Sequence, residues 1–264
     1  MNADIQNTQQ NTQQNTQPLL QAIGVTRRFG GLTAVNNVSL DLHIGEVHAV
    51  IGTNGAGKST LINMLSGEIA ASEGTIRLGG YDVTRLSQSK RSRSGIGRSY
   101  QRTTIFPTFT VQENCRLAAQ AGLQRPWAVW EKATQCSYSV GIAREVMEAA
   151  GLADVAQVQA GSMSHGKKRQ LEIAMCLATR PTVLLLDEPL AGMGAEETDR
   201  MLAMLGRLKE THAVLLVEHD MDAVFRVADR ITVMVNGEVI ASDVPDGIRS
   251  NHDVQVAYLG EAHS

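Results

Sequence analysis

The nine residues GTNGAGKST, Gly52–Thr60, constrain this chain more than any other stretch. They fit the pattern G-x-x-x-x-G-K-[S/T]. A short apolar run, HAVIG (His48–Gly52), leads into them, and a helical pattern, STLINMLSG, follows. Glycines let successive backbone N–H groups turn inward around an anion, and the helix beginning at the loop adds the positive end of its dipole. Lys58 brings a point charge suited to β- and γ-phosphates, and the Ser59 hydroxyl is a hard oxygen that can ligate Mg²⁺. A loop of this kind works only between a buried strand and a helix, so it predicts an α/β fold.

Downstream, TVLLLDEP is apolar without alternation, the pattern of a strand buried on both faces of a parallel sheet. A carboxylate ending such a strand is costly unless paired or near a metal. Asp187 therefore suits Mg²⁺, and Glu188 can take a proton from water in line with a γ-phosphate, as a general base. AVLLVEH reads as a second buried strand ending at His219, at the carboxyl edge where open α/β sheets bind ligands. Gln101, after GIGRSY, is placed to reach Mg²⁺ or water. Between these strands the spacing predicts an amphipathic helix over Glu196–Glu210 and a short helix over Met221–Ala228, and RITVMVNGEVIAS predicts a hairpin around Asn236 and Gly237. The region from Leu19 to about Ser87 reads as strand-rich. Residues of about 110–160 are helical in spacing (Glu113–Ala121, Trp130–Ala150) and form an expected inserted helical subdomain. Strands alternating with helices predict a mainly parallel sheet.

GSMSHGKKRQLEIAM (Gly161–Met175) begins a helix, with Ser164 placed to cap it. Lys167, Lys168 and Arg169 crowd its first turn. Cations there oppose the macrodipole, at about 0.3–1 kcal/mol each when exposed. Either they are simply solvated, or this terminus is a second anion-seeking site that clamps the γ-phosphate held by a facing chain.

The composition excludes other classes. A net charge of −3, from 24 basic and 27 acidic residues, gives no electrostatic case for nucleic acid. The basic stretch SKRSRSGIGR is expected to be a solvated helix face. Three scattered cysteines (Cys115, Cys136, Cys176) form no CxxC pair and are expected to be reduced thiols of a cytosolic protein. No apolar run approaches the roughly 18 residues of a membrane span, and the polar N-terminus carries no secretory signal. No H-E-x-x-H or G-x-S-x-G pattern occurs, and His43, His48, His165 and His212 receive no ligand role. Residues 1–18, with three copies of QNTQ, are expected to form a disordered tail ahead of a folded unit over 19–264.

In order, GTNGAGKST, Gln101, MSHGK, VLLLDE and His219 resemble the ATPase subunit of an ABC transporter, from about Leu20 to Gly260. GIGRSYQ, SHGKKRQLEIAM, DEPLAGM, LLVEHDM and AYLGEA resemble more narrowly the branched-chain amino acid and urea-type uptake subfamily. The resemblance implies a P-loop NTPase (RecA-like) core, an antiparallel β subdomain and a helical subdomain. It implies that Phe29 stacks on adenine and that Asn54, Gly55, Ala56, Gly57, Lys58, Ser59 and Thr60 hold the phosphates. Gln101 would sense Mg²⁺, with a permease helix docking near Arg102–Thr110. Ser164 and Gly166 would contact the ATP of the other subunit. Asp187 would serve Mg²⁺, Glu188 would polarise water, and His219 would hold the γ-phosphate.

The implied partners are a second ATPase, identical or homologous, in a head-to-tail dimer. Two transmembrane permease subunits at the cytoplasmic face of the membrane and, indirectly, an extracytoplasmic solute-binding protein complete the expected set. Two departures stand out. Lys167 replaces the glutamine of the common L-S-G-G-Q signature, and Gly194 replaces the usual aspartate in AGMGAEE. The expected activity is ATP hydrolysis driving import. The alternatives are an export or lipid-moving system, a non-transport cassette, and a switch that binds ATP without hydrolysis; an intact Glu188 and His219 weigh against the last.

Overall fold

The structure, a computed structural model, describes residues 17–100, 104–123 and 137–259. The strands are β1 (Leu20–Phe29), β2 (Leu32–Leu42), β3 (Val47–Gly52), β4 (Glu73–Leu78), β5 (Tyr81–Asp82), β6 (Ile96–Arg98), β7 (Val183–Asp187), β8 (Ala213–Val217), β9 (Arg230–Val235) and β10 (Glu238–Asp243). The helices are α1 (Lys58–Ser66), α2 (Gln88–Arg93), α3 (Val111–Leu123), α4 (Ser137–Ala149), α5 (His165–Ala178), α6 (Ala195–Leu208), α7 (Met221–Val227), α8 (Pro245–Ser250) and α9 (His252–Leu259).

Two sheets form. β2-β1-β4-β5 is antiparallel, and β10-β9-β3-β8-β7-β6 is parallel from β9 to β6, with β10 added as the antiparallel arm of a hairpin. The parallel sheet is apolar on both faces. Leu184 and Leu186 of β7 enter the core shared with α3, α4, α5 and α6, whereas Val183 and Leu185 enter the core shared with α1 and the antiparallel sheet. Both faces of β7 are therefore apolar, and the run VLLLD has no alternation to display.

Register sets the site. Asp187 pairs with Val217, and Val217 pairs with Val50. Three strands thus end abreast, and the loops that leave them emerge at one sheet edge. The hairpin turn at Asn236 and Gly237 closes over that edge, where the Gly237 N–H donates to the Ala56 carbonyl at 3.1 Å.

The basic stretch Ser89–Arg98 departs from expectation. Arg91 is only 1% exposed and donates to the carbonyls of Met64 (2.7 Å), Leu65 (2.9 Å), Thr84 (2.7 Å) and Leu86 (3.1 Å). It caps the last carbonyls of α1, a position where a cation also complements the helix dipole. Arg98 is sequestered as well, so the stretch is not one solvated face. The tail residues 1–16, Gln101 and Cys136 lie outside the described residues. Cys115 and Cys176 are buried thiols, and burial pushes both up to about 12. Among the described residues no helix is long and apolar enough to cross a membrane.

Candidate active site

The glycine-rich loop leaves β3 and turns directly into α1. Gly57, at φ 96°, is the residue before the helix, and a Cβ there would lie 2.3 Å from the Ala34 carbonyl of β2. Asn54, Gly55 and Ser59 are exposed, Thr60 is partly covered and Ala56 is buried. Lys58 is 8% exposed, and its ammonium donates to the carbonyls of Gly52 at 2.7 Å and Thr53 at 2.9 Å. The charge is thus held over the mouth of the loop. Phe29, at the end of β1, is 45% exposed, with the Arg27 guanidinium 4.5 Å from its ring centre. It offers an aromatic face at the rim of the antiparallel sheet.

Asp187 ends β7 and is 5% exposed. Burial raises its pKa, while the nearby Arg98 and Lys58 pull it back down and Glu188 adds to the rise. Glu188 follows with φ 49°, a left-handed backbone rare outside glycine, and its N–H donates to the Val217 carbonyl at 2.9 Å. Such a position persists only where its surroundings enforce it, and here the β8 carbonyl pins it. The Glu188 carboxylate lies 3.9 Å from His219 Nδ1.

Glu218, with its side chain fully buried, is a residue that pattern reading does not single out. Its carboxylate accepts from the N–H of Leu190 at 2.8 Å and of His219 at 3.1 Å, and lies 3.7 Å from His219 Nδ1. Burial raises its pKa, and the two backbone donors oppose that rise. It pins the loop after Glu188 to the strand end that carries His219. Its one sequence signal was a second acid closing an apolar run.

The signature segment is organised around an acid from another helix. Ser164 caps α5, accepting from the Lys167 N–H, and its hydroxyl donates to Glu197 of α6 at 2.9 Å. A Cβ on Gly166 would lie 2.4 Å from the Glu197 carboxyl carbon, so the glycine makes room for that carboxylate. Two of the three cations are also partnered within the chain where the sequence suggested an outside anion. Lys167 lies 3.4 Å from Asp154, and Arg169 is buried and pairs with Glu172 at 2.9 Å. His165 contacts the Ala191 carbonyl at 3.0 Å, tying the segment to the loop after Glu188. Gly194 is the residue that opens α6 and provides no side-chain cap.

The loop, Asp187, Glu188 and His219 therefore share one sheet edge, and Phe29 lies at the end of the neighbouring antiparallel sheet. Ser164 and Gly166 lie apart, at the tip of α5. Gln101 lies outside the described residues. Asp187 and Ser59 both carry oxygen donors, the kind that suits a hard cation completing its shell with phosphates and water. Among the described residues there is no cluster of three or more His, Cys, Asp or Glu that could hold a metal ion.

Comparison with known proteins places this geometry. The ABC transporter family model matches residues 35–191, and the model for the branched-chain amino acid ATP-binding cassette transporter matches residues 238–264. The chain is 39% identical over 255 residues to the high-affinity branched-chain amino acid transport ATP-binding protein BraF of Pseudomonas aeruginosa, covering 93% of this chain and 99% of that one. It is also 39% identical over 252 residues to LivG of Escherichia coli, named for the same transport, at the same coverage. Among solved structures, the ADP conformation of MJ1267, an ATP-binding cassette of an ABC transporter, superposes with a TM-score of 0.81 at 28% identity, over 93% of this chain and all of that one. A nucleotide-free cassette from an ABC transporter superposes at 0.79 and 27% identity, over 91% and 98%. With the glycine loop, the two carboxylates and the histidine gathered on one sheet edge, the chain belongs to the ATP-binding cassette ATPases of the ABC transporters.

Proposed function

We propose that this ATPase drives import of branched-chain amino acids or a related small polar solute such as urea, by binding ATP·Mg²⁺ at the edge of the parallel sheet. The observation that carries the reading is the register Asp187–Val217–Val50, which delivers the phosphate loop, Glu188 and His219 to one place in a chain similar over nearly its full length to BraF and LivG. The relatives' names, for branched-chain amino acid transport, favour a transport cassette over a DNA-directed one.

In this reading Phe29 stacks on the base, and Asn54–Thr60 and Lys58 hold the phosphates. Ser59, Asp187 and Gln101 hold Mg²⁺, which when bound neutralises phosphate charge. Glu188 orients the attacking water and accepts its proton. His219, braced by Glu218, donates to the γ-phosphate. Catalysis is then mostly positioning and charge stabilisation. A second ATPase chain, identical or homologous, faces this one head to tail, so that Ser164 and Gly166 of each close over the nucleotide of the other. Two permease subunits dock on the cytoplasmic side near 102–110, where Phe106 and Phe109 stack at 5.6 Å and stand exposed, and an extracytoplasmic protein delivers the solute.

One experiment tests the machine and its cargo together. In a strain lacking this protein, the parent gene restores uptake of labelled leucine and Glu188→Gln does not. The purified Glu188→Gln protein keeps ATP affinity within about threefold while turnover falls by about 10²-fold or more. Undiminished turnover removes Glu188 from its role, and restored uptake of urea but not leucine reassigns the solute.

A further inference from the structure

Arg98 ends β6, the edge strand beside β7, and lies within GIGRSYQ, but the sequence pattern assigns it no role at the nucleotide site. Its side chain is 8% exposed, as is that of Asp187. β6 and β7 run parallel, with Arg98 opposite Leu185 and the Ser99 N–H donating to the Leu185 carbonyl at 3.0 Å, so the two strand ends lie side by side. From there the guanidinium reaches two elements at once. One nitrogen donates to the Ser66 hydroxyl at 2.8 Å and to Glu68 at 2.6 Å, at the C-terminal end of α1. The other donates to the Asn63 amide oxygen of α1 and faces Asp187 Oδ2 at 3.6 Å. The ring of Tyr100 covers the guanidinium at 4.8 Å, and its buried Nε has no partner among the described residues.

Charge balance alone does not explain this placement, because Glu68 already neutralises Arg98. The geometry has a further consequence. The helix that Arg98 grips at its C-terminal end begins with Lys58 and Ser59, and the carboxylate it faces ends β7. The planar fork of an arginine can hold two such elements at once, where a lysine, a single point of charge, cannot. Ligating carboxylates are commonly oriented by a neighbour of this kind, and removing the neighbour weakens metal binding by about 10–100-fold. At 3.6 Å the contact with Asp187 is longer than a hydrogen bond, as contacts in unliganded sites often are before a bound ligand draws them together. We propose that Arg98 is a positioning residue for Asp187, fixing that carboxylate against α1 so that it and the Ser59 hydroxyl can serve one Mg²⁺.

The inference rests on the reading of Asp187 as the Mg²⁺ carboxylate, and the test separates the two. Affinity of the full chain for a fluorescent ATP analogue is measured in EDTA and along a Mg²⁺ titration, for the parent, Arg98→Ala, Arg98→Lys and Asp187→Asn, with melting temperatures taken without ligand. In EDTA, Arg98→Ala keeps its affinity within about twofold, while its half-saturating Mg²⁺ concentration rises about tenfold. Arg98→Lys, which keeps the charge and is the milder change for the fold, shows the same selective rise in smaller measure. An equal loss of affinity with and without Mg²⁺ in both arginine variants marks a merely structural residue and overturns the proposal. A shift in Asp187→Asn alone overturns the role of Arg98 and leaves Asp187 in place; no shift in any variant overturns both.

Discussion

At Gly57 a single carbon decides whether the phosphate loop can close. The residue holds φ 96°, and an added Cβ would sit 2.3 Å from the Ala34 carbonyl, a backbone atom that cannot swing aside. Gly57→Ala therefore costs about 1–2 kcal/mol for the left-handed backbone alone, with the clash adding to it. Urea unfolding reads the loss, and a variant as stable as the parent contradicts the geometry. That glycine was legible in the sequence, because the loop's chemistry is local and its spacing is fixed by the anion it cradles. Lys58 was legible with it, and Asp187, Glu188 and His219 were legible for a related reason: each is a polar residue closing an apolar run. Arg98, Glu218 and Glu197 were not, because their partners are Asp187 and Asn63, Leu190, and Ser164, all distant in sequence. No period or motif encodes such a contact before the strands are in register.

Among the elements, α5 most repays attention to its partners. The sequence gives its cap correctly, and its three cations raise a real electrostatic problem. What it does not announce is where the nearby acids lie: Asp154 before the helix, Glu172 on α5 itself one turn along, and Glu197 at the start of α6. The expected partner chain is therefore not needed to offset the charge in the isolated subunit. Glu197 places its carboxylate at the helix terminus, bonded to Ser164, where an anion is favoured by about 0.3–1 kcal/mol. Glu197→Ala is expected to lower stability by that order in dilute buffer. The deficit should shrink in about 1 M salt, where the Debye length is about 3 Å. Urea midpoints at the two ionic strengths measure it. A deficit indifferent to salt assigns the contact to packing instead of charge. The same lesson applies to α2, where a run of cations resembled a solvated face. The fold turned Arg91 inward because the C-terminal carbonyls of α1 lacked donors.

At the scale of the whole molecule, the antiparallel and parallel sheets must be joined, and a buried histidine sits at the joint. His48 lies on β3 and is 1% exposed; its Nδ1 is 3.0 Å from the Asp41 carbonyl of β2, and its Nε2 is 2.8 Å from the Thr232 hydroxyl of β9. A carbonyl only accepts, so Nδ1 carries the hydrogen and Nε2 receives one from Thr232, an arrangement that suits neutral imidazole. Burial, aided by Arg230 and His43 and opposed by Asp41, lowers its pKa from 6.5 to about 4. Unfolding restores the ordinary value, so between these two pH values the unfolded chain holds more protons than the folded one. Stability from this group is whole above about pH 6.5 and falls as the pH drops toward 4, by on the order of 3 kcal/mol. Below that window the group contributes no further loss. Asp187 and Glu218 have raised pKa values, so their stabilising effect is present at low pH and fades as pH rises, and they offset part of the fall. The decisive comparison is therefore one of slopes. Urea unfolding of the parent and of His48→Gln across pH 4.5–7 should give a shallower pH dependence in the variant, the difference approaching about 1.4 kcal/mol per pH unit at its steepest. Parallel curves displaced by a constant amount would locate the acid sensitivity elsewhere and leave His48 as packing between the sheets.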